Sequence, residues 1–234
     1  MSSVAIITAR GGSKRIPRKN IKEFCGKPII AYSIEAALKS ELFDEVMVST
    51  DDAEIAEVAR KYGAQVPFMR SAKNSDDYAT TADVLSEVLE TYKQQGKNFD
   101  IMCCIYPTAP FVTSEKLQKA YEAFLEHGRE TVVPVVSFSF PPQRSFVLKN
   151  GKLAYKYKEY INSRSQDLEE WYHDAGQFYF HDVAKFKDSC ATGNAGEEYI
   201  PFILPETEVQ DIDNLTDWEI AEAKCKVMQK QSSK

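Results

Sequence analysis

Strand-like and helix-like stretches alternate without interruption through the first 136 residues of this 234-residue chain. Short apolar runs such as Ile101–Ile105 alternate with stretches whose apolar residues recur at helical spacing. Strands that are joined by helices form right-handed crossovers, which place the strands side by side in parallel and the helices on both faces. The pattern therefore predicts a three-layer α/β fold that binds its ligands at the carboxyl ends of the strands.

The predicted elements follow from apolar periodicity and from capping residues at the helix ends. We expect strands at 4–8, 45–49, 65–68, 101–105, 131–136, 174–180 and 199–204. We expect helices at 28–40, 52–60, from 80 or 81 onward, at 114–127, and at 215–229. The continuous apolar character of 101–105 is typical of a strand that is buried on both faces.

Residues 137–166 interrupt this alternation with many aromatic and β-branched residues around an Asn150-Gly151 hairpin signal. They predict a small antiparallel arm that is inserted into a catalytic domain made of residues 1–136 and 167–234. A two-stranded arm has little core of its own, so a partner chain is expected to cover some of its apolar side chains. We therefore predict a homodimer.

The net charge of −6 argues against nonspecific binding of nucleic acid. Five cysteines show neither a disulfide framework nor the spacing of a metal site. No apolar run reaches the length of a membrane span, and the first one is too short for a signal peptide. These features predict a cytoplasmic protein that does not contact membranes.

A glycine pair surrounded by cations follows the first strand. The stretch 9–20 reads ARGGSKRIPRKN, and Gly11 and Gly12 allow backbone N–H groups to approach phosphate oxygens. Arg10, Lys14 and Lys19 can neutralise a triphosphate and the charge on a departing pyrophosphate. The spacing matches neither a Walker A loop nor a dinucleotide-binding fingerprint, and a merely solvated basic loop remains the alternative.

The same stretch resembles the signature A-R-x-x-S-K-x-x-x-x-K-N of the CMP-sugar synthetases, the cytidylyltransferases that activate nonulosonic acids such as sialic acid. This resemblance implies a nucleotide-diphospho-sugar-transferase-like (Rossmann-like) fold, CTP as a substrate, and dimerisation through the inserted arm. It also implies that nucleotide contacts come from the loop residues, which are Ala9, Arg10, Gly11, Gly12, Ser13, Lys14, Lys19 and Asn20.

The Asp211-Ile212-Asp213 triplet is the second strong signal. In extended backbone, residues two apart project to the same face, so the two carboxylates can share one hard cation. The alternative is that this segment only caps the last helix, with Asp213 or Asn214 as the N-cap. The resemblance favours a metal site, because the same enzymes hold Mg²⁺ or Mn²⁺ on a D-x-D that precedes their last helix.

Three further residues are expected near the nucleotide. Arg70 follows a predicted strand, and the resemblance places it and a hydroxyl from Thr80 or Thr81 against CTP. Helix capping alone is enough to explain the two threonines.

The sugar side departs from the sialic-acid pattern. Tyr106 stands where those enzymes carry glutamine, and 173–177 reads HDAGQ where they read RPNGA. A tyrosine ring suits a less hydroxylated, methyl-bearing sugar, and the chain here resembles the pseudaminic acid cytidylyltransferase branch of the family. Arg164 is the expected partner of the sugar carboxylate, or alternatively an interface residue. The remaining residues expected to read hydroxyl and acetamido groups are Gln166, Asp174 and Gln177.

The predicted reaction is in-line attack of the anomeric hydroxyl on the α-phosphorus of CTP, with Arg10, Lys19 and Asp211 as the catalytic residues and no side chain evident as a general base. Alternative sugars are sialic acid, legionaminic acid and Kdo. Two other classes remain open: a noncatalytic nucleotide sensor, and a metal-dependent glycosyltransferase that releases a nucleoside diphosphate.

Overall fold

The computed structural model describes residues 1–193 and 198–232. The strands of the described chain, in order, are β1 Ser3–Thr8, β2 Glu23–Phe24, β3 Lys27–Pro28, β4 Glu45–Ser49, β5 Ile101–Ile105, β6 Val132–Ser137, β7 Phe146–Lys149, β8 Lys152–Tyr155, β9 Tyr172–Asp174, β10 Phe178–Asp182 and β11 Ile200–Ile203. The α-helices are α1 Ile29–Ser40, α2 Ala53–Lys61, α3 Thr81–Gln94, α4 Ser114–Glu126, α5 Val183–Thr192 and α6 Leu215–Ser232. Short 3₁₀ helices lie at Lys19–Ile21, Ala72–Asn74, Pro142–Arg144, Lys158–Tyr160, Ser165–Asp167 and Glu206–Glu208.

One large sheet has the strand order β11-β6-β10-β5-β1-β4, with β9 also paired to β6. β1 runs parallel to β4 and β5, and β6 runs parallel to β11. β10 is antiparallel to both of its neighbours, so β6 still points the same way as β5. The predicted mostly parallel sheet is therefore confirmed, with β9 and β10 as its reversed strands.

Helices cover both faces of this sheet. On one face, buried side chains of β1 pack with those of α1, α2 and α4, for example Ile7 with Ile34. On the other face, Ile6 packs with Leu85 and Tyr92 of α3 and with Val183 of α5. Alternate residues of β1 therefore serve opposite faces, as expected for a central strand that is buried on both sides.

The stretch 65–68 is not a strand. In this stretch Gln65 forms a parallel bridge to Met47, and the Arg70 N–H bonds the Thr50 carbonyl oxygen beyond it. The predicted strand 174–180 is also interrupted, because Gly176 adopts φ +62° between β9 and β10. Helix α5 was missed, although Asp182 caps it with hydrogen bonds from Ala184 and Lys185, and Gly193 ends it at φ +71°.

The excursion from the sheet runs from the end of β6 at Ser137 to the start of β9 at Tyr172, which pair with each other. It contains the hairpin β7–β8, which forms a separate two-stranded sheet. The hairpin turn lies at Asn150 and Gly151, both with positive φ, as the dipeptide predicts. Among the described residues, no helix combines the length and the apolar character that crossing a membrane requires.

Candidate active site

A shared apolar cluster joins the amino-terminal loop to the segment ahead of α6. Ile16 lies in the cationic loop, Ile212 lies between the two predicted metal ligands, and both are almost fully buried. They belong to one cluster with Phe24 and Trp218. Because Ile16 follows Arg15 and Ile212 lies between Asp211 and Asp213, burying the two isoleucines together brings the cationic loop and the carboxylates to the same place.

Direct polar contacts complete this junction. The Arg15 guanidinium donates to both carboxylate oxygens of Asp213, at 2.9 and 2.7 Å. Lys19 Nζ donates to the carbonyl oxygen of Ile212 at 2.7 Å. Burial lowers the pKa of Lys19, while the charges of Asp213 and Asp211 oppose that shift. The two sequence signals therefore meet in one cleft.

The carboxylates of Asp211 and Asp213 do not cap the last helix. Asn214 Oδ1 accepts a hydrogen bond from the backbone N–H of Asp217 at 3.0 Å. Asp217 Oδ2 in turn accepts the backbone N–H groups of Asp213 and Asn214, at 2.9 and 3.0 Å. This reciprocal cap accounts for Asn214 and requires neither the Asp211 nor the Asp213 carboxylate, the latter of which binds Arg15 instead.

The backbone of the glycine pair does not need the conformational freedom of glycine, because neither Gly11 nor Gly12 is among the glycines with positive φ. Gly11 donates its N–H to Asp51 Oδ1 at 2.8 Å. A Cβ on Gly11 would lie 2.8 Å from Asp52 Oδ2, whereas a Cβ on Gly12 would meet nothing within 4 Å. Asp52 also caps α2 and forms a two-pronged ion pair with Arg18, at 2.5 and 3.0 Å. Gly11 therefore allows the loop to lie directly against the start of α2.

Asn20 and Arg70 are buried polar residues at the back of the site. Asn20 Nδ2 donates to the carbonyl oxygen of Arg10 at 2.8 Å and so holds the loop. Arg70 donates from Nε to Ser49 Oγ at 3.0 Å and from Nη2 to the Ser49 carbonyl oxygen at 2.5 Å. Burial lowers the pKa of Arg70, opposed first by the charge of Asp51. Arg70 is thus a fixed cation at the carboxyl end of β4.

A cavity of about 480 Å³ opens at the carboxyl ends of β1, β4 and β5. Its size suits a nucleotide or a sugar, which are ligands of the class that such clefts hold. The predicted site residues that line it are Arg10, Ser13, Lys14, Lys19, Asn20, Arg70, Thr80, Thr81, Tyr106 and Asp213. Further lining residues, which sequence reasoning did not select, are Thr8, Arg15, Asn74, Asp76, Asp77, Ala79, Val84, Pro107 and Thr108.

Asp77 is the most informative of the residues that were missed. Its carboxylate accepts from Arg10 Nη1 at 2.9 Å and pairs with Lys14 Nζ. These contacts hold the pKa of Asp77 below its usual range. A polar loop residue of this kind carries no distinctive sequence signal, because only the tertiary fold places it opposite the cations.

The threonines differ in their surroundings. Thr80 forms a capping box with Asp83 at the start of α3, with its hydroxyl 2.6 Å from Asp83 Oδ2. Thr81 lies in the first turn and hydrogen-bonds Tyr106. The capping interpretation is therefore sufficient for Thr80, while the Thr81 hydroxyl faces the cavity beside the tyrosine.

A second aromatic ring connects the cavity to the expected sugar side. The rings of Tyr106 and Tyr179 lie 5.4 Å apart, and burial raises the pKa of both phenols. Tyr179 donates its hydroxyl to the carboxylate of Asp174, 2.8 and 2.9 Å from its two oxygens. Asp174 therefore acts on this end of the site through Tyr179.

Other predicted residues lie outside the cavity of their own chain. Gln177 is buried and donates from Nε2 to the Glu208 carbonyl oxygen at 2.7 Å, so it positions the segment that leads to Asp211. Arg164 is exposed and pairs with Asp167 at 2.7 and 3.0 Å. Gln166 and Asp211 are exposed, and the backbone N–H of Ala9 donates to the Ser49 carbonyl oxygen. Gly11 and Gly12 do not line the cavity either. Their predicted contacts with substrate stay predictions.

Comparisons with known proteins identify the family to which the chain belongs. A family model described as Cytidylyltransferase matches residues 4–185. The pseudaminic acid cytidylyltransferase of Campylobacter jejuni subsp. jejuni serotype O:2 is 44% identical over 234 residues, with 97% of each chain covered. The CMP-N,N'-diacetyllegionaminic acid synthase of Legionella pneumophila is 39% identical over 142 residues, 61% of each chain.

Among solved structures, CMP:2-keto-3-deoxy-manno-octonic acid synthetase complexed with CTP superimposes with a TM-score of 0.71. It covers 99% of this chain and 100% of its own at 17% identity, which supports the shared fold. The family match extends from β1 into α5, so it includes the cationic loop, the Arg70 loop and the strand ends that line the cavity. The chain belongs to the cytidylyltransferase family.

Proposed function

We propose that this enzyme transfers the cytidylyl group of CTP to the anomeric hydroxyl of a nonulosonic acid, and that this acid is pseudaminic acid. The observation that carries the chemistry is the meeting of the cationic loop with the Asp211–Asp213 segment at one cavity, through the contacts of Arg15 and Lys19. The full-length similarity to a pseudaminic acid cytidylyltransferase supports the choice of sugar.

In the proposed reaction, the basic residues of the cleft act on the phosphates of CTP. The hydroxyl of the sugar attacks the α-phosphorus in line, and pyrophosphate leaves. Arg10, Lys14 and Lys19 lie where they can bind the triphosphate and stabilise the charge that the leaving group gains. Lys19 is held by Ile212, so it is fixed at the boundary between the phosphates and the acidic segment. Fixed cations of this kind accelerate the reaction by positioning and electrostatics.

The acidic segment fits a magnesium site of the kind that uses few protein ligands. Both Asp211 and Asp213 lie near enough to Lys19 to act on its pKa. Among the described residues, no group of three or more potential metal ligands lies together. A Mg²⁺ ion held by these two carboxylates would take further ligands from phosphate oxygens and water. Mg²⁺ commonly binds in this way, through one or two carboxylates, phosphate oxygens and waters. Such an ion would polarise the α-phosphate and lower the pKa of the attacking hydroxyl.

The sugar is expected at the Tyr106 end of the cavity. Tyr106 is joined to Thr81 on one side and to Tyr179 on the other. Two phenol rings inclined at 58° to each other offer an apolar surface with two hydroxyl groups, which suits the methyl and acetamido groups of a dideoxy sugar acid. This arrangement favours pseudaminic acid over the more hydroxylated sialic acid.

A substrate panel tests the proposal. Purified enzyme is incubated with CTP, Mg²⁺ and either pseudaminic, legionaminic or sialic acid or Kdo, and pyrophosphate release is followed. We expect release with pseudaminic acid at a kcat/KM at least about tenfold above that for the other acids, since one missed polar contact is worth about that factor. Greater activity on another acid would overturn the sugar assignment alone. CTP binding without any pyrophosphate release would instead favour a nucleotide sensor.

We also propose that the enzyme is a homodimer that associates through the excursion between β6 and β9. Large apolar side chains on this arm are exposed, including Phe140 at 87% and Leu148 at 72%. Leu148 pairs with Leu153 across the hairpin, so they form a continuous apolar patch. Light scattering after size exclusion should give twice the chain mass for the wild type. The paired change Leu148→Lys and Leu153→Lys should give monomers, and a monomeric wild type would overturn the proposal.

A further inference from the structure

Asp77 contacts both cations that face the cavity on its side. Its carboxylate accepts from Arg10 Nη1 at 2.9 Å and pairs with Lys14 Nζ. Arg10 Nη1 also donates to the carbonyl oxygen of Asp76 at 3.0 Å. The loop before α3 therefore presents an anion to the same two side chains that the proposed function assigns to the triphosphate.

The backbone of this loop is fixed on both sides of Asp77. Ser71 bonds Glu87 of α3 through its N–H and its hydroxyl, at 2.7 and 2.9 Å. Asp76 Oδ1 accepts the N–H groups of Tyr78 and Ala79, both at 2.8 Å. The Asp77 side chain itself is 46% exposed. A rotation of this side chain into solvent therefore releases its contacts with Arg10 and Lys14 without any movement of the loop, while Arg10 Nη1 keeps its hydrogen bond to the Asp76 carbonyl oxygen.

We propose that Asp77 competes with the phosphates of the nucleotide for Arg10 and Lys14, and that it speeds the departure of pyrophosphate by pairing with these cations again. The inference rests on the proposed function, which supplies the phosphate ligand. Asp77 binds Nη1 of Arg10 and Nζ of Lys14, so a phosphate that approaches these same two atoms has to displace the carboxylate or lie beside it against charge repulsion. Asp77 consequently lowers the affinity for CTP and for pyrophosphate alike.

The competition predicts a change of definite sign. Asp77→Asn removes the competing charge, so CTP and pyrophosphate should bind more tightly by about threefold to tenfold, the range expected for losing exposed ion pairs. The dissociation rate of pyrophosphate should fall by a similar factor, because affinity differences of this kind lie mostly in dissociation. A carboxylate that instead positions the cations for phosphate would give the opposite sign, with weaker binding in the variant.

The matched control is Asp76→Asn. It removes the same unit charge one residue away, and an amide oxygen can still accept from Tyr78 and Ala79. The Asp76 carboxylate makes none of the ion pairs with Arg10 or Lys14, so Asp76→Asn measures the general effect of charge removal. Asp77→Asn should tighten binding by more than this control does.

Calorimetric titrations with CTP and Mg²⁺, with pyrophosphate, and with inorganic tripolyphosphate are made on wild type and both variants, after thermal melts have verified folding. Tighter binding of all three ligands in Asp77→Asn, beyond the change in Asp76→Asn, is the expected result. Unchanged or weaker binding in Asp77→Asn, with a wild type that binds CTP, overturns this inference alone. A folded wild type that binds no CTP overturns the proposed function, and the inference with it.

Discussion

The two glycines of the cationic loop offer a sharp internal comparison. A Cβ added to Gly11 would lie 2.8 Å from Oδ2 and 2.9 Å from Cβ of Asp52. A Cβ added to Gly12 would meet no atom within 4 Å. Because neither glycine is among those with positive φ, the two substitutions differ in packing rather than in backbone strain. Gly11→Ala and Gly12→Ala therefore test one contact in otherwise similar surroundings.

The expected magnitude follows from what Asp52 does. Its Oδ1 accepts the N–H groups of Glu54 and Ile55, both at 3.0 Å, and its carboxylate binds Arg18. Relieving the overlap requires either Asp52 or the loop to move, and such overpacking costs about 1–3 kcal/mol. For a chain of this size, the melting temperature should fall by about 2 to 12 °C. Gly12→Ala should lie within about 0.5 kcal/mol of wild type, or gain slightly from a less flexible unfolded chain.

The assay combines thermal melts with CTP titration. Gly11→Ala should also weaken CTP binding, because displacing the loop moves Arg10 and Lys14 away from the cavity. A double-mutant cycle with Asp52→Gly removes the three Asp52 atoms that the new methyl group meets, so Gly11→Ala should cost less in that background. Equal losses in Gly11→Ala and Gly12→Ala, or no coupling to Asp52, would refute the reasoning.

Three further predictions concern the acids and one histidine. Asp211→Asn and Asp213→Asn should each lower pyrophosphate release by about two orders of magnitude at saturating CTP, with melting temperatures near wild type. The hydrogen bond from Arg18 is the largest cause that lowers the pKa of Asp52 from 3.8 to about 2. This pair therefore stabilises the fold above about pH 4, and its contribution is lost as the pH falls toward 2. In urea unfolding, Arg18→Met should lose less free energy of unfolding over this pH range than the wild type does. Burial lowers the pKa of His181 from 6.5 to about 4, so the unfolded chain takes up a proton at a higher pH than the folded chain does. The free energy of unfolding should therefore fall as the pH is lowered from about 6.5 to 4. His181→Gln should remove this pH dependence in the same urea series.

The fold could be predicted where the apolar periodicity and the capping and turn residues indicated the same elements. The buried run at 101–105 and the alternation around it predicted β1, β4, β5 and β6 with the helices α1 to α4 between them, but not the short strands β2 and β3. The prediction of a strand at 65–68 was wrong because the apolar residues of this stretch pack into the core from a loop, and only Gln65 is bridged to the sheet. Helix α5 was not predicted because its apolar face is short, although Asp182 and Gly193 are typical capping residues at its two ends.

The sequence predicted which charged residues belong to the site, but not which residues they contact. Spacing alone could not separate a metal site from a helix cap at 211–214, since both use short polar side chains ahead of a helix. The structure separates them by giving the cap to Asn214 and Asp217. Asp77 and the pairing of Arg15 with Asp213 depend on residues that are distant in sequence, and no local pattern encodes such partners.

The forces that build this cleft differ from the forces that the proposed reaction needs. Arg15 and Asp213 are paired at the surface, with side chains 66% and 41% exposed, and such pairs contribute only about 0–1 kcal/mol. Ile16 and Ile212 are almost fully buried in the cluster below, and each contributes about 1.5–3 kcal/mol. The apolar residues therefore hold the loop and the acidic segment together, while the ion pairs above them can open at little cost. A nucleotide and its metal ion can exchange partners with these charges and leave the fold of the cleft intact.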